Sequence, residues 1–197
     1  MKIIDCEQRS DEWYQVRAGR VTASHFNDVM NKKSGRETYM MRVLAERLTG
    51  IREETYQNQD MLNGIELEPE AREFYEWVTG TTVCQVGFME MDKDVGCSPD
   101  GLIGEDGLIE IKCPRVTTHI RYILGELKPT ETTYKWQVQG QLMICKRKWT
   151  DFVSFCPQYL KQPVWIKRVE PDTALQTQLA GGIADFVTEL TQKEKLL

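Results

Sequence analysis

Apolar residues recur every three or four positions in several long stretches of the chain, and this spacing predicts helices. The stretches are bounded by residues that begin or end helices, such as the serine and acids at 10–12 and the glycine at 19. A polar, basic segment at 31–36 is predicted to be a loop. The predicted helices cover residues 10–19, 22–30, 37–49, 60–79, 117–127, 131–146 and 171–190.

Shorter stretches alternate apolar and polar residues with the period of a strand. A hairpin is predicted over 82–97, a buried strand over 108–113, and two further strands over 151–156 and 164–169. This mixed order indicates an α/β fold with a central mixed β-sheet flanked by helices. The 197 residues are enough for a single domain spanning 1–197, and no linker-like stretch divides them.

The stretch 97–114 carries polar residues in an order that packing alone does not require. A turn signal at Asp100 precedes the strand 108–113, along which Glu110 and Lys112 share one face and apolar residues occupy the other. Such a strand would direct both polar side chains into a cleft that Asp100 could join. Carboxylate oxygens suit Mg²⁺ or Mn²⁺, and the lysine would be a fixed positive charge beside the metal. The alternative is an ordinary surface turn followed by an exposed strand.

Composition narrows the function classes. A formal net charge of -5 argues against a protein that coats DNA through overall positive charge, although it leaves local phosphate contacts open. The six cysteines lack CxxC spacing, so they are expected to be reduced core residues rather than disulfides, zinc ligands or cluster ligands. Without a signal peptide or an apolar run near the length of a membrane span, a soluble intracellular protein is expected.

A second candidate site lies near the N-terminus, where Arg17 ends the first predicted helix and Ser24 lies at the start of the second. A helix N-terminus with a hydroxyl group and a nearby arginine can bind a phosphate. The alternative is that Thr22 or Ser24 only caps the helix while Arg17 is solvated, and spacing alone favours that alternative.

Three ordered motifs resemble those of a known nuclease family. Pro99-Asp100 and Glu110-Ile111-Lys112 look like the two halves of the PD-(D/E)XK nuclease motif. Residues 13–24, WYQVRAGRVTAS, are similar to the W-x-x-x-R-x-G-x-[IV]-T-A-S opening of the phage lambda exonuclease (YqaJ-type viral recombinase) family. The three matches span most of the chain and imply the restriction-endonuclease-like fold.

The resemblance implies roles for individual residues. Asp100, Glu110 and the Ile111 carbonyl would hold Mg²⁺, or Mn²⁺, beside Lys112. The family's G-x-x-x-E block selects Glu68 as a further active-site acid, with Glu66 left open, and its Q-x-Q helix selects Gln137. The residues implied to bind a terminal 5′-phosphate are Arg17, Ser24 and Ser98, and Lys33 is a candidate for a DNA backbone contact. The acids at 90, 92 and 94 receive no role.

The activity implied by the resemblance is that of a Mg²⁺-dependent 5′ to 3′ exonuclease. Such an enzyme degrades one strand of linear duplex DNA to mononucleotides and leaves a 3′ overhang. Family members form toroidal trimers and work with a single-strand annealing protein, which implies recombination in the cytoplasm of a phage-infected or lysogenic bacterium. Two alternatives remain: a RecB-type or structure-specific endonuclease, and a non-catalytic protein that binds DNA ends.

Overall fold

The computed structural model describes residues 2–31, 34–54 and 58–197. All the predicted helices are present, and short 3-10 turns at Ala23–His25 and Pro129–Glu131 precede α2 and α6. The helices are α1 Asp11–Arg17, α2 Phe26–Met30, α3 Ser34–Thr49, α4 Gln59–Thr79, α5 Val116–Ile123, α6 Tyr134–Cys145 and α7 Thr173–Glu194.

Local sequence explains where most helices begin and end. The Ser10 hydroxyl caps α1 by accepting from Trp13 N, and Gly80 ends α4 with a φ of 65°. The predicted loop 31–36 is wrong in its second half, because α3 begins at Ser34. Leu48 is half exposed because it lies in the last turn of α3, beyond the packed surface.

The strands form two sheets. They are β1 Lys2–Ile4, β2 Val21–Thr22, β3 Val83–Cys84, β4 Phe88–Glu90, β5 Val95–Cys97, β6 Gly101–Ile103, β7 Gly107–Lys112, β8 Trp149–Phe155 and β9 Val164–Val169. The larger sheet has the order β3-β6-β7-β8-β9 and is mixed, since β7 and β8 run parallel while its other neighbours are antiparallel. The smaller sheet, β1-β4-β5-β2, contains the β4-β5 hairpin. The predicted α/β fold with a mixed sheet flanked by helices is confirmed.

Strand β7 lies between two apolar clusters that fix its orientation. Ile109 and Ile111 pack with Ala71 and Tyr75 of α4, on one face of the sheet. Leu108 belongs to the other cluster, with residues of α2, α3, α6 and α7. Because side chains alternate along a strand, Glu110 and Lys112 share the face of Leu108 and are directed toward α6.

A glycine in α6 lets this helix pack closely against α2. A Cβ atom at Gly140 would lie 2.3 Å from the ring of Phe26 in α2, a distance at which the two helices would have to separate. Glycine therefore allows α6 and α2 to pack closely, which places the polar face of α6 against Glu110.

The cysteines are free thiols, and Cys97, Cys145 and Cys156 are buried. The expectation that all six are core residues is wrong for Cys84, which is exposed at the end of an edge strand. Across the described ranges, no helix combines the length and apolar character needed to cross a membrane.

Candidate active site

A cleft with a volume of about 520 Å³ opens between α1, α4, β7 and α6, and we name it the catalytic cleft because it holds the candidate catalytic residues. It brings together residues far apart in sequence. Of the predicted site residues, those lining it are Arg17, Ser24, Glu68, Ser98, Asp100, Glu110, Ile111, Lys112 and Gln137. The remaining one, Lys33, lies outside the described residues.

Glu110 is the most buried acid of the cleft, with 1% of its surface exposed. Its carboxylate accepts hydrogen bonds from Gln137 Nε2 at 2.6 Å and Gln141 Nε2 at 2.7 Å, and from Lys112 Nζ. Asp100 stands at the start of β6, where Oδ2 accepts the backbone N–H of Ile111 at 2.6 Å. This bond holds Asp100 against β7, so both carboxylates face the same space.

The charged groups in this space shift the pKa values of Asp100 and Lys112. Burial raises the pKa of Asp100 well above its usual range, and the nearby carboxylates of Glu110 and Glu68 raise it further. For Lys112, burial opposes the charged form, but Glu110 and Asp100 outweigh it and raise the pKa. The ammonium of Lys112 therefore stays charged, while the two carboxylates lack a full positive counterpart.

The donor set fits a small divalent cation. Asp100, Glu110 and the Ile111 carbonyl offer hard oxygen atoms, and a cation would relieve the repulsion that raises the pKa of Asp100. Gln141 Oε1 is buried in the same cleft without a hydrogen-bond partner, which leaves another oxygen acceptor. In the part of the chain that the structure describes, no group of three or more His, Cys, Asp or Glu side chains forms a metal cluster, so the fit rests on two carboxylates and a carbonyl.

Glu68 of α4 lies on the opposite wall. Its carboxylate pairs with Arg72 Nη2 at 2.8 Å and with Arg9, a residue whose φ is 71°. Glu66, the alternative that the sequence left open, is exposed and does not line the cleft. The structure thus places Glu68, and not Glu66, in the cleft.

Arg17 joins the two serines predicted beside it. Its guanidinium donates to Ser98 Oγ at 3.2 Å and to Ser24 Oγ at 3.3 Å, and it lies over the Trp13 ring with 4.2 Å to the centroid. Burial lowers the pKa of Arg17 to about 10. The structure does not favour the alternative, since Arg17 is half-buried and bonded to both serines, and no side-chain capping bond is made at the start of the turn at 23–25 or of α2.

Two residues that line the cleft, Arg9 and Gln141, were not predicted from the sequence, and neither was Arg72, which binds Glu68. Gln141 binds Glu110, and its spacing of four residues from Gln137 was the available signal, since both lie on one helix face. Arg9 and Arg72 hold Glu68, but the pairing of Arg9 with an acid 59 positions away leaves no local pattern. Two acids considered earlier serve other bonds, because Glu90 pairs with Arg20 and Asp94 with Arg47.

The fold and cleft define a class: a nuclease fold in which an aspartate at a strand start and a Glu-x-Lys strand face one space. Within that class, the chain belongs to the YqaJ-like viral recombinase domain family, whose profile matches residues 12–150. The family named from the sequence motifs is therefore confirmed.

Solved structures agree with this assignment. An alkaline exonuclease (LHK-Exo) from Laribacter hongkongensis is 38% identical, with a TM-score of 0.88 over 95% of this chain and 95% of that chain. The same values hold for LHK-Exo in complex with dAMP. A phage-related exonuclease from Haemophilus somnus is 14% identical, with a TM-score of 0.72 over 88% of this chain and 94% of that chain, and it supports the fold alone. A comparison with curated proteins finds no match.

Proposed function

We propose that this chain is a metal-dependent exonuclease that degrades the 5′-ended strand of linear duplex DNA to mononucleotides and leaves a 3′ overhang. Family membership and the similarity to LHK-Exo support the exonuclease activity. The observation that carries the finer proposal is one cleft holding both the Asp100, Glu110 and Lys112 set and the Arg17, Ser24 and Ser98 set. The first set suits hydrolysis of a phosphodiester, and the second suits capture of a terminal phosphate.

The metal would be held by Asp100, Glu110 and the Ile111 carbonyl. Bound there, Mg²⁺ or Mn²⁺ would supply a Lewis acid beside the scissile phosphate and lower the pKa of an attacking water. Lys112 would keep its positive charge near the phosphate and stabilise negative charge as it develops in the transition state. Gln137 and Gln141 would hold the Glu110 carboxylate in one orientation, and Glu68 would provide an acid on the facing wall.

Arg17, Ser24 and Ser98 would hold the 5′-phosphate at the end of the strand being degraded. Arginine presents a planar pair of N–H donors that matches two phosphate oxygens, and the hydroxyls add further hydrogen bonds. After each cleavage the new 5′-phosphate could enter the same pocket and draw the strand forward by one nucleotide. The complex of the relative LHK-Exo with dAMP is consistent with a cleft that accommodates a deoxynucleoside monophosphate.

Digestion of defined DNA substrates tests this proposal. We expect Mg²⁺-dependent release of labelled mononucleotides from linear duplex labelled at a 5′ end. A label on the 3′ terminus of the complementary strand at the same end should be retained, and closed circles should not be cut. Cutting of covalently closed circles, which have no free ends, would instead favour the RecB-type or structure-specific endonuclease. Binding of ends without release of any nucleotide would favour the non-catalytic protein.

Assembly and partners are part of the same proposal. The properties of the family imply a toroidal trimer that encloses DNA and a single-strand annealing protein as partner. They also imply a role in phage or prophage recombination in the bacterial cytoplasm. One domain spanning 1–197 would carry out this activity. Light scattering should then report three subunits per particle. A monomer that remains processive would contradict the ring.

A further inference from the structure

A second pocket lies behind Arg17, on the side away from the two carboxylates, and has a volume of about 130 Å³. We call it the arginine pocket, after Arg17, Arg20, Arg42 and Arg52, which line it. Trp13 and Arg17 form a wall that it shares with the catalytic cleft. Nothing in the proposed hydrolysis uses the other three arginines.

Two of these arginines are held in place without an acidic partner. Arg42 donates to His25 Nε2 at 2.8 Å and lies over the ring of Tyr39. Arg52 lies 3.4 Å from the centroid of the Tyr14 ring. Within the described ranges, neither guanidinium forms a salt bridge to a carboxylate, whereas Arg20 pairs with Glu90 at 2.7 Å.

The acids at the edge of the pocket do not neutralise this charge. Glu46 is buried and its carboxylate accepts the backbone N–H groups of Gly19 at 2.8 Å and Glu53 at 3.1 Å. Glu53 is exposed to solvent. The Glu46 carboxylate therefore binds the local backbone, and the guanidinium groups of Arg17, Arg42 and Arg52 outnumber the two acids that line the pocket.

The pKa of His25, which lines the pocket, indicates the same positive potential. Burial lowers the pKa of His25, and Arg42 and Arg17 lower it further, although its partner Asp28 raises it. His25 is then neutral, with Nδ1–H directed to Asp28 and Nε2 accepting from Arg42. Several guanidinium groups that line one small pocket beside a neutral histidine favour the binding of an anion.

We propose that the arginine pocket binds a phosphate group, as a second phosphate site on the far side of Arg17 from the catalytic carboxylates. Its volume accommodates a phosphate but not a whole nucleotide, so a sugar and base would remain outside. The phosphate could belong to a free monoester, such as a released mononucleotide, or to the backbone of a DNA strand. The proposal rests on the proposed function only in that an exonuclease would encounter these two ligands. Binding itself requires neither cleavage of DNA nor a particular direction of degradation.

Binding measurements without metal test the site. Calorimetry in EDTA would compare three probes: inorganic phosphate, dAMP and a single-stranded oligonucleotide without terminal phosphates. Arg52→Ala removes a side chain that stacks on the Tyr14 ring, and Arg42→Gln removes charge while keeping a donor toward His25. Arg121→Ala is the matched control, since Arg121 is an exposed arginine of α5 paired with Glu126.

We expect Arg52→Ala and Arg42→Gln to weaken binding about tenfold or more for at least one probe, while Arg121→Ala changes none. Loss confined to phosphate and dAMP identifies a free monoester as the ligand, and loss confined to the oligonucleotide identifies a strand. The proposal is overturned if, for each of the three probes, both pocket variants bind with the same affinity as wild type and the control. Because no cleavage is measured, a failed exonuclease assay would leave this outcome unaffected.

Circular dichroism and thermal unfolding of each variant keep the comparison interpretable. If Arg42→Gln loses its fold, Arg52→Ala alone decides the result, since within the described ranges the Arg52 guanidinium stacks on the Tyr14 ring and forms no salt bridge. A folded Arg52→Ala that binds every probe as wild type does would contradict the site.

Discussion

Gln141 Nε2 donates a hydrogen bond to Glu110 Oε2 at 2.7 Å in a buried position of the cleft. Both side chains are 1% exposed, so neither can exchange this bond for water. Gln137, one turn earlier on α6, donates to the other oxygen of the same carboxylate at 2.6 Å. Two amides of one helix thus orient the acid that we propose as a metal ligand.

This geometry predicts that the two glutamines act through Glu110. We expect Gln137→Ala and Gln141→Met each to lower kcat about 10- to 100-fold, the usual effect of losing a bond that orients a metal ligand. Methionine keeps the volume of the buried glutamine, so the loss should not come from a cavity. Mg²⁺ titrations of rate, followed in both variants, should also show a weaker apparent metal affinity.

Gln139 provides a matched control on the same helix. It is equally buried, but its amide binds Glu170 O and Asp172 N on the other side of α6. Gln139→Met should therefore lower the free energy of unfolding while leaving the metal dependence of the rate unchanged. Equal loss of metal affinity in Gln139→Met would mean that α6 as a whole, rather than its contact with Glu110, sets the site.

Most elements of the fold were predictable because their signals are local. The helix at 60–79 has a capping Asn58 and a terminal Gly80, and the strand β7 has apolar residues that alternate with polar ones. The placement of the β4-β5 hairpin in a separate sheet with β1 and β2 was not predicted. Strand partners depend on contacts between distant segments, and short strands carry little pattern of their own.

The site was predictable where a motif spans a few residues, and less so where partners are distant. Asp100, Glu110 and Lys112 follow from one turn and one strand. The pairing of Glu68 with Arg9 depends on packing of the N-terminal segment against α4. In the sequence, Arg9 is a single arginine without a surrounding motif, and its φ of 71° is known only from the structure. Such a pairing becomes visible only when the chain is folded.

The raised pKa of Asp100 predicts a stability change in the absence of metal. A carboxyl whose folded pKa exceeds its unfolded value costs stability as pH rises above the unfolded value, near 4. Asp100→Asn removes this cost and keeps an oxygen for the Ile111 N–H. In EDTA at pH 8, urea denaturation should show Asp100→Asn to be more stable than wild type.

The same comparison at low pH supplies the control. Near pH 4 the wild-type carboxyl is protonated in the folded state, so the advantage of Asp100→Asn should shrink. Asp100→Asn and Asp100→Ala should both lose about 100-fold or more of the hydrolysis rate, since a metal ligand is removed. Hydrolysis at nearly the wild-type rate would refute the metal role, and a pH-independent difference in stability would refute the electrostatic explanation.

Lys112 is predicted to act through its charge and not as a base. In the absence of metal, Glu110 and Asp100 raise its pKa, so the ammonium stays protonated as pH rises through the neutral and mildly alkaline range. The rate should therefore show no loss from deprotonation of Lys112 below about pH 10. Lys112→Met should lower kcat about 100- to 1,000-fold while changing the Mg²⁺ affinity much less.

Rate measurements between pH 6 and 10, in wild type and Lys112→Met, check this prediction. The two profiles should have the same shape and differ by a constant factor. A descending limb present in wild type and absent in Lys112→Met would show that the lysine titrates during the reaction, which contradicts a role as a fixed charge.

The phosphate pocket makes the last prediction, because it distinguishes a 5′ end-dependent exonuclease from other enzymes with the same metal residues. Arg17 donates to Ser98 Oγ at 3.2 Å and to Ser24 Oγ at 3.3 Å, so its guanidinium is held where a phosphate could replace or join the hydroxyls. Wild type should cut 5′-phosphorylated ends faster than 5′-hydroxyl ends. Arg17→Ala should reduce this ratio about tenfold and shorten the run of nucleotides released per encounter.

Initial rates on paired phosphorylated and dephosphorylated duplexes measure the ratio, and Ser98→Ala should lower it in the same direction by a smaller factor. Arg121→Ala, an exposed arginine on α5, should leave it unchanged. Arg17 also lies over Trp13, so loss of packing could slow both substrates equally, which is why the ratio and not the rate decides. An unchanged preference for phosphorylated ends in a folded Arg17→Ala would assign the terminal phosphate to other residues, since removal of its main cation should slow cutting of the 5′-phosphorylated end more than that of the 5′-hydroxyl end.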